Sequence, residues 1–302
     1  MPTKHLVSRQ ISKKSAALDY AFWKKINDLT VALKNLVERN SPDKILNIPG
    51  WHPFLLVATR TSQFIYESIS YLSADSPPDP LRKLEFGICT SPLIRSLVDL
   101  LFTIIFIREN PRSRIKWYHQ AGWRETKEIL ETLEGRYGSN QDWKERFINR
   151  NAILEELRIA YKVSKKRANR RKTLPKWPIP SRILKEEKLG VRAKRFLEYL
   201  NLWYRELSQD HHMSGGGIIR VYSKFLLTPE DHDRVKILKE LKTGNVMLTV
   251  TLVLGISTEI NDIGNFDRKA ELAYLWGILI HNRSEAQELY HLRYRSMLKK
   301  LK

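Results

Sequence analysis

Apolar residues recur along most of the chain at steps of three and four, the spacing that places them on one face of an α-helix. No stretch keeps the alternation of apolar and polar residues that is typical of a β-strand. The pattern therefore predicts helices over 15–38, 53–72, 91–109, 112–133, 141–171, 183–188, 192–212, 228–260 and 266–298. For the second of these helices, the predicted core residues are Phe54, Val57, Phe64, Ile65 and Ile69.

Proline and glycine separate these segments. Pro49 and Gly50 mark a turn, and the three prolines of residues 75–80 form a connection that no helix can cross. Residues 1–12 are polar and are predicted to be a flexible N-terminus. Residues 13–302 are therefore predicted to form a single helical domain, an all-α multi-helix bundle of about eight helices.

The segment 199–217 concentrates polar groups beside aromatic residues at the end of a helix, which three glycines at 215–217 terminate. At about 100° per residue, positions seven apart on a helix nearly coincide. Arg205 and His212 therefore share one stripe of the helix. The neighbouring stripe contains Tyr204, Ser208 and His211.

Two interpretations of these stripes stay open. An arginine and a histidine on one helix face can bind a phosphate and transfer a proton, which predicts Arg205 and His212 as catalytic residues. Alternatively, the two histidines only fill and cap the C-terminal end of the helix, where the helix dipole favours a cation.

Arg95 and Asp99 form a second polar pair, within the apolar segment 91–109. They are four residues apart and share a helix face, and their apolar neighbours predict that both are buried and paired. The pair is either an internal ion pair or a support for a polar site. In the second case, one polar centre joins Arg95, Asp99, Arg205, Ser208 and His212.

The formal net charge of +20 predicts a polyanionic partner, chiefly nucleic acid, or an anionic membrane surface. Residues 144–195 contain 18 basic and 5 acidic residues, so the charge is concentrated in one region. The alternatives for this region are a solvated helix face and association of residues 161–172 with anionic lipid. The predicted nucleic-acid-binding residues are Lys162, Lys165, Lys166, Arg167, Arg170, Arg171 and Lys172.

The remaining composition limits the kinds of bond and binding site that the chain can form. Cys89 is the single cysteine, which excludes an intramolecular disulfide and a multi-cysteine zinc site and fits a cytoplasmic location. His211 and His212 have no obvious third ligand, and no phosphate-binding or zinc-protease motif occurs, so neither a metal nor a cofactor is predicted. The apolar runs 97–107 and 246–256 are shorter than a bilayer span. They predict buried core helices and no integral membrane segment.

Three segments of the chain, 94–99, 177–182 and 204–212, resemble the uncharacterised all-helical family DUF 5677. In that family, an Arg-x-x-x-Glu helix precedes a Trp-containing connection and a Tyr-x-x-Leu-Ser-x-x-x-His helix. The resemblance covers about residues 50–260 and matches the family's histidine to His212. Asp99 stands where the family more often has Glu.

The spacing from Arg205 to His212 also resembles the Arg-x4–6-His motif of HEPN nucleases. Those proteins are all-helical, are often homodimers and cleave RNA without metal. The resemblance implies that His212 removes the ribose 2′-hydroxyl proton or protonates the leaving oxygen, while Arg205 stabilises charge on the phosphate. The implied function is metal-independent RNA cleavage or RNA binding, in a defence or toxin role. The alternative is a non-catalytic helical interaction protein whose polar centre only fixes helix register.

Overall fold

The computed structural model describes residues 4–40, 48, 50–73, 90–170, 173–186, 189–211, 231–282 and 284–298. Within these residues the chain is all-α, with eight helices of seven or more residues and no strand, which confirms the predicted fold class. In chain order the elements are α1 (Lys4–Arg39), α2 (Trp51–Ser73), α3 (Ser91–Glu109), α4 (Pro111–Tyr137), α5 (Gln141–Ala160), α6 (Lys165–Asn169), α7 (Pro180–Ile183), α8 (Val191–His211), α9 (Asp231–Ile263), α10 (Lys269–Asn282), α11 (Ser284–Leu289), a π-helical turn (Tyr290–Tyr294) and α12 (Arg295–Leu298).

The prediction of one continuous helix over 141–171 is wrong. Helix α5 ends at Ala160 because Lys162 adopts a φ of 54°, a left-handed conformation through which a right-handed helix cannot continue. Ser164 then caps α6, since its side chain accepts a hydrogen bond from the Arg167 backbone N–H. The basic region is therefore divided between two helices and the turn that joins them.

The predicted helix over 266–298 begins later than predicted and is not α-helical throughout the described residues. Helix α10 begins at Lys269, and the part after Asn282 consists of α11, the π-helical turn and α12. By contrast, α9 is continuous through Gly244. At the N-terminus, α1 begins at Lys4 rather than near residue 15.

Helix α9 is the central helix of the main core. Residues 249–261 are all buried, and the helix packs against α1, α2, α3 and α10. This position explains why the sequence around 246–256 is apolar on every side.

By length and composition, the segment Lys239–Ile263 of α9 is apolar enough to cross a membrane, yet 78% of its most apolar window is buried inside the fold. The core helix of a soluble protein has the same composition. The described residues therefore contain no clear integral membrane segment.

Helices α4 and α5 form an antiparallel hairpin with a small core of its own. Trp123 on α4 is buried and donates a hydrogen bond to the Leu154 carbonyl on α5 at 2.9 Å. Leu130 and Phe147 are also buried in this second core, and Val163 closes it at the turn before α6. The hairpin therefore holds the turn and α6 beside the main bundle.

Helix α2 does not bury all of the apolar residues that the sequence analysis assigned to the core. Phe54, Ile65 and Ile69 lie in the core as predicted. Val57 and Phe64, which the helical spacing also assigned to the core, are 60% and 67% exposed. The α2 helix therefore presents apolar residues on two faces, only one of which packs within the fold.

Candidate functional site

Helices α3 and α8 bring two of the family-like segments into contact. Arg95 on α3 donates a hydrogen bond from Nη2 to the Tyr204 hydroxyl on α8 at 2.8 Å. The Arg95 guanidinium also lies over the Tyr204 ring, with Cζ 4.8 Å from the ring centroid. Both helices contribute to the main core, where Leu97 and Leu200 are fully buried. Arg95 is therefore held against the helix on which the sequence predicts the catalytic pair.

Asp99 lies one helical turn after Arg95, with Oδ2 4.0 Å from Arg95 Nε. The Arg95 side chain is 18% exposed, whereas the Asp99 side chain is 45% exposed. The prediction that both residues are buried is therefore wrong for Asp99, which shares the less buried stripe of α3 with Ser96 and Thr103. Burial raises the pKa of Asp99, and the charge of Arg95 opposes only part of this increase.

Asp99→Ala is expected to lower the free energy of unfolding by only about 1 kcal/mol or less, because a nearly half-exposed carboxylate at the limit of ion-pair distance contributes little. Urea unfolding of the wild type and the variant measures this difference, and Asp99→Asn separates the charge from the packing. A loss of about 3 kcal/mol or more would show instead that Asp99 is the essential counter-ion of a buried arginine.

Ser208 uses its hydroxyl within its own helix. Its Oγ donates a hydrogen bond to the Tyr204 carbonyl oxygen at 2.6 Å. Such a bond to the preceding turn satisfies the hydroxyl proton without involving another helix. Ser208 therefore lies beside the Arg95–Tyr204 contact, with its proton committed to α8.

Arg205 is exposed to solvent. It follows Tyr204 directly, and successive helix positions differ by about 100°, so its side chain leaves α8 on a different side from the Arg95–Tyr204 contact. The predicted single polar centre is therefore only partly formed, because Arg95, Asp99 and Tyr204 cluster without Arg205. His212 and the side chain of His211 lie outside the described residues.

The Trp-containing connection closes the edge of the main core. The Trp177 ring packs against Phe106, Trp117 and Tyr118, with ring centroids 5.5, 5.5 and 5.0 Å away. The Trp117 indole N–H donates to the Lys176 carbonyl at 3.1 Å and fixes the connection on α4. Trp177 therefore acts as a packing residue between α3 and α4.

The basic segment, defined as residues 162–172, follows the end of α5. In the part of the chain that the structure describes, its cations are exposed and none of them forms an ion pair with a carboxylate. Arg171 and Lys172 belong to the same predicted set but lie outside the described residues. The described cations of the segment are Lys162, Lys165, Lys166, Arg167 and Arg170.

A polar cluster that the sequence did not predict lies in the main core. Glu259 on α9 is fully buried, and its Oε2 accepts hydrogen bonds from Arg108 Nη1 at 2.7 Å and from Arg293 Nη2 at 3.1 Å. Arg293 Nε donates to the other carboxylate oxygen of Glu259. Arg108 also donates from Nη2 to Asp262, one turn further along α9. Two arginines from α3 and the π-helical turn therefore enclose one buried carboxylate.

The charges of this cluster stabilise one another. Burial alone would raise the pKa of Glu259, but the charges and hydrogen bonds of Arg293 and Arg108 together hold that pKa below its ordinary value. Burial lowers the pKa of Arg293, and the charge and hydrogen bonds of Glu259 more than compensate, so the pKa is raised. Glu259 and Arg293 therefore both remain charged in the folded protein over the physiological pH range.

The π-helical turn places Arg293 and Tyr294 toward this cluster. A π-helical turn adds one residue to a helical turn and often occurs at functional or strained positions. Tyr294 is fully buried, and its ring stacks on Trp276 with centroids 5.0 Å apart. A Cβ at position 255 would lie 2.9 Å from the Tyr294 hydroxyl, so Gly255 allows the tyrosine to approach α9.

One sequence signal marks part of this cluster. Glu259 is the only acidic residue in the run 246–261, and an acid in an apolar run must find a charged partner if it is buried. The neighbouring sequence does not identify that partner, because Arg108 is 151 residues away and Arg293 is 34 residues away.

No family model, curated protein or solved structure matches this chain. The arrangement of α3, α8 and the basic segment must therefore be interpreted from its own geometry.

Proposed function

We propose that this protein binds RNA through the basic segment. The observation that supports this most directly is the set of five exposed cations on the turn after α5, on α6 and at the C-terminal end of α6, none of which pairs with a carboxylate within the described residues. Lysine and arginine side chains of this kind are available to phosphate oxygens. The formal net charge of +20 would draw a polyanion toward this surface from a distance.

Binding to phosphates has a measurable signature. Each contact displaces condensed counterions from the nucleic acid, so the observed affinity falls steeply as the salt concentration rises. Because α6 contributes charge without an aromatic residue of its own, we expect contacts to the phosphate backbone rather than recognition of bases. RNA is favoured over DNA as the polyanion by the Arg205–His212 spacing.

We further propose that the bound RNA is cleaved at α8. Arg205 is exposed and can therefore approach a phosphate, where it would stabilise the negative charge that develops in the transition state. His212 follows the last residue of α8, His211, and would act as the general acid or base. The Arg95–Tyr204 contact would position α8 against α3.

Replacing Lys165 and Arg167 by Ala is expected to weaken RNA binding about 10-fold at low salt and to reduce the slope of log affinity against log salt by about 1 to 2. Filter-binding titrations of single-stranded RNA at several salt concentrations measure both quantities. The matched control replaces Lys24 and Arg39, which are exposed on α1. Equal losses in the two double variants would attribute binding to the overall charge, and this would contradict a dedicated surface.

A second candidate function is a non-catalytic interaction protein. It is favoured by one observation: Arg95 directs its hydrogen bond and its guanidinium face to Tyr204, a contact that fixes the register of α3 and α8. The absence of RNA binding at low salt would leave this candidate in place.

The basic segment could instead attach the protein to an anionic membrane surface. Co-sedimentation with vesicles that contain anionic lipid tests this alternative.

A further inference from the structure

Helix α2 carries a narrow exposed seam that the proposed RNA binding does not use. Within residues 51–72, every exposed position belongs to one series with steps of four, three, four, three and four. The series alternates apolar with mostly charged positions. The seam consists of Pro53, Val57, Arg60, Phe64, Glu67 and Tyr71.

This spacing is that of a coiled-coil contact. An average step of about 3.5 residues keeps one line of side chains facing a second helix, whereas a solvated helix face has no such requirement. Val57, Phe64 and Tyr71 follow one another at intervals of seven residues and are 60%, 67% and 77% exposed. Large apolar side chains repeated along one exposed line are typical of an interaction surface.

The charged positions of the seam select the orientation of its partner. In a parallel pair of α2 helices, Arg60 would face Arg60 of the second copy, and Glu67 would face Glu67. In an antiparallel pair with the twofold axis midway between these positions, each Arg60 lies opposite Glu67 of the other copy. Like charges in contact cost affinity, whereas opposite charges fix register.

We propose that two copies of this chain associate through their α2 seams in an antiparallel arrangement. The twofold axis then brings the two Phe64 rings beside each other at the centre of the contact. It also places Val57 of each copy beside Tyr71 of the other. The contact is therefore self-complementary in both charge and apolar surface, as a twofold interface must be.

The size of the seam sets the expected strength. From Val57 to Tyr71 the helix rises by about 21 Å, so two such seams bury less surface than a standard stable interface. We therefore expect a dimer that dissociates in the micromolar range. Arg60 also donates from Nε and Nη2 to Glu38 of α1 within the same chain.

Sedimentation velocity over a range from low to high micromolar protein is expected to show a monomer–dimer equilibrium. Phe64→Glu should raise the dimer dissociation constant about 10-fold or more, because it places a charge at the centre of the contact. The matched control is Ile148→Glu on α5, a site that is 62% exposed and lies outside the seam. A protein that stays monomeric throughout, or a dimer that Phe64→Glu leaves intact, overturns the proposal.

Charge reversal tests the pairing itself. Arg60→Glu alone and Glu67→Arg alone should each weaken the dimer, and the combined variant should regain it. Glu38→Ala removes the neighbour of Arg60 without changing the seam and should have little effect. If both single reversals weaken the dimer but the combined variant does not recover, Arg60 and Glu67 do not face each other.

Cross-linking tests the orientation. In a background in which Cys89 is replaced by Ser, a chain with Val57→Cys should cross-link to a chain with Tyr71→Cys when the two are mixed. Val57→Cys alone should form few cross-linked dimers. Efficient cross-linking of that variant to itself would indicate a parallel pair and would overturn the antiparallel arrangement.

Discussion

Glu259→Ala is expected to lower the free energy of unfolding by about 3–5 kcal/mol, because it removes the carboxylate that pairs with a mostly buried arginine. The Arg293 side chain is 10% exposed and pairs with Glu259 through two nitrogens. Without Glu259, the charge of Arg293 remains in the core and loses its hydrogen-bonded counter-ion. Arg108 is less affected, since it is 27% exposed and keeps its bond to Asp262.

Urea unfolding at neutral pH measures this loss. Glu271→Ala is the matched control, because Glu271 is 37% exposed and pairs with Arg268, which is 42% exposed. That variant should lose about 1 kcal/mol or less. A Glu259→Ala variant with the stability of the control would show that water or neighbouring dipoles, rather than Glu259, compensate the charge of Arg293.

The acid sensitivity of the wild type should depend on the same residue. The pKa of Glu259 lies below the ordinary value of 4.5 in the folded protein, so the unfolded chain takes up this proton first as the pH falls. The stabilisation by Glu259 is therefore complete above about pH 4.5 and is lost as the pH falls through the folded pKa. Glu259→Ala should lack this component of the acid transition.

The sequence predicts individual helices well where the local signals agree. Helix α3 spans the predicted residues 91–109, because Pro92 lies in its first turn and apolar residues continue to its end. The break before α6 was missed, since Lys162 adopts a positive φ that glycine or asparagine would normally signal. Local propensity therefore fixes most helices but not the turn that divides the basic region.

The positions of side chains around each helix are less predictable than the helices. Asp99 lies among apolar neighbours in sequence and Phe64 fits the helical spacing of the core residues, yet each is more exposed than predicted because burial depends on which helices pack nearby. The contact between Arg95 and Tyr204 joins residues 109 positions apart, and periodicity alone cannot indicate it. In the sequence, only the predicted polar centre, which joins Arg95 with Arg205 and Ser208, associates α3 with α8.

The proposed catalytic site is tested by separating folding from chemistry. Arg205→Ala should leave the melting temperature near that of the wild type, because the side chain is exposed. It should reduce RNA cleavage if Arg205 stabilises the transition state. Arg195→Ala is the matched control, since Arg195 is also an exposed arginine on α8 and no catalytic role is proposed for it.

His212→Ala is expected to lower the rate of RNA cleavage by about 100-fold or more while leaving the melting curve unchanged, because a general acid or base contributes to the chemical step and not to packing. Cleavage is measured at saturating RNA with a chelator present, so that weakened binding and contaminating metal-dependent nucleases do not enter the comparison. His211→Ala should have a much smaller effect, since His211 shares its helix stripe with Tyr204 and Ser208. A wild-type protein that cleaves no RNA with or without metal, or a His212→Ala variant that unfolds, would exclude the catalytic proposal. The salt-dependence measurements would then test RNA binding by the basic segment independently of cleavage.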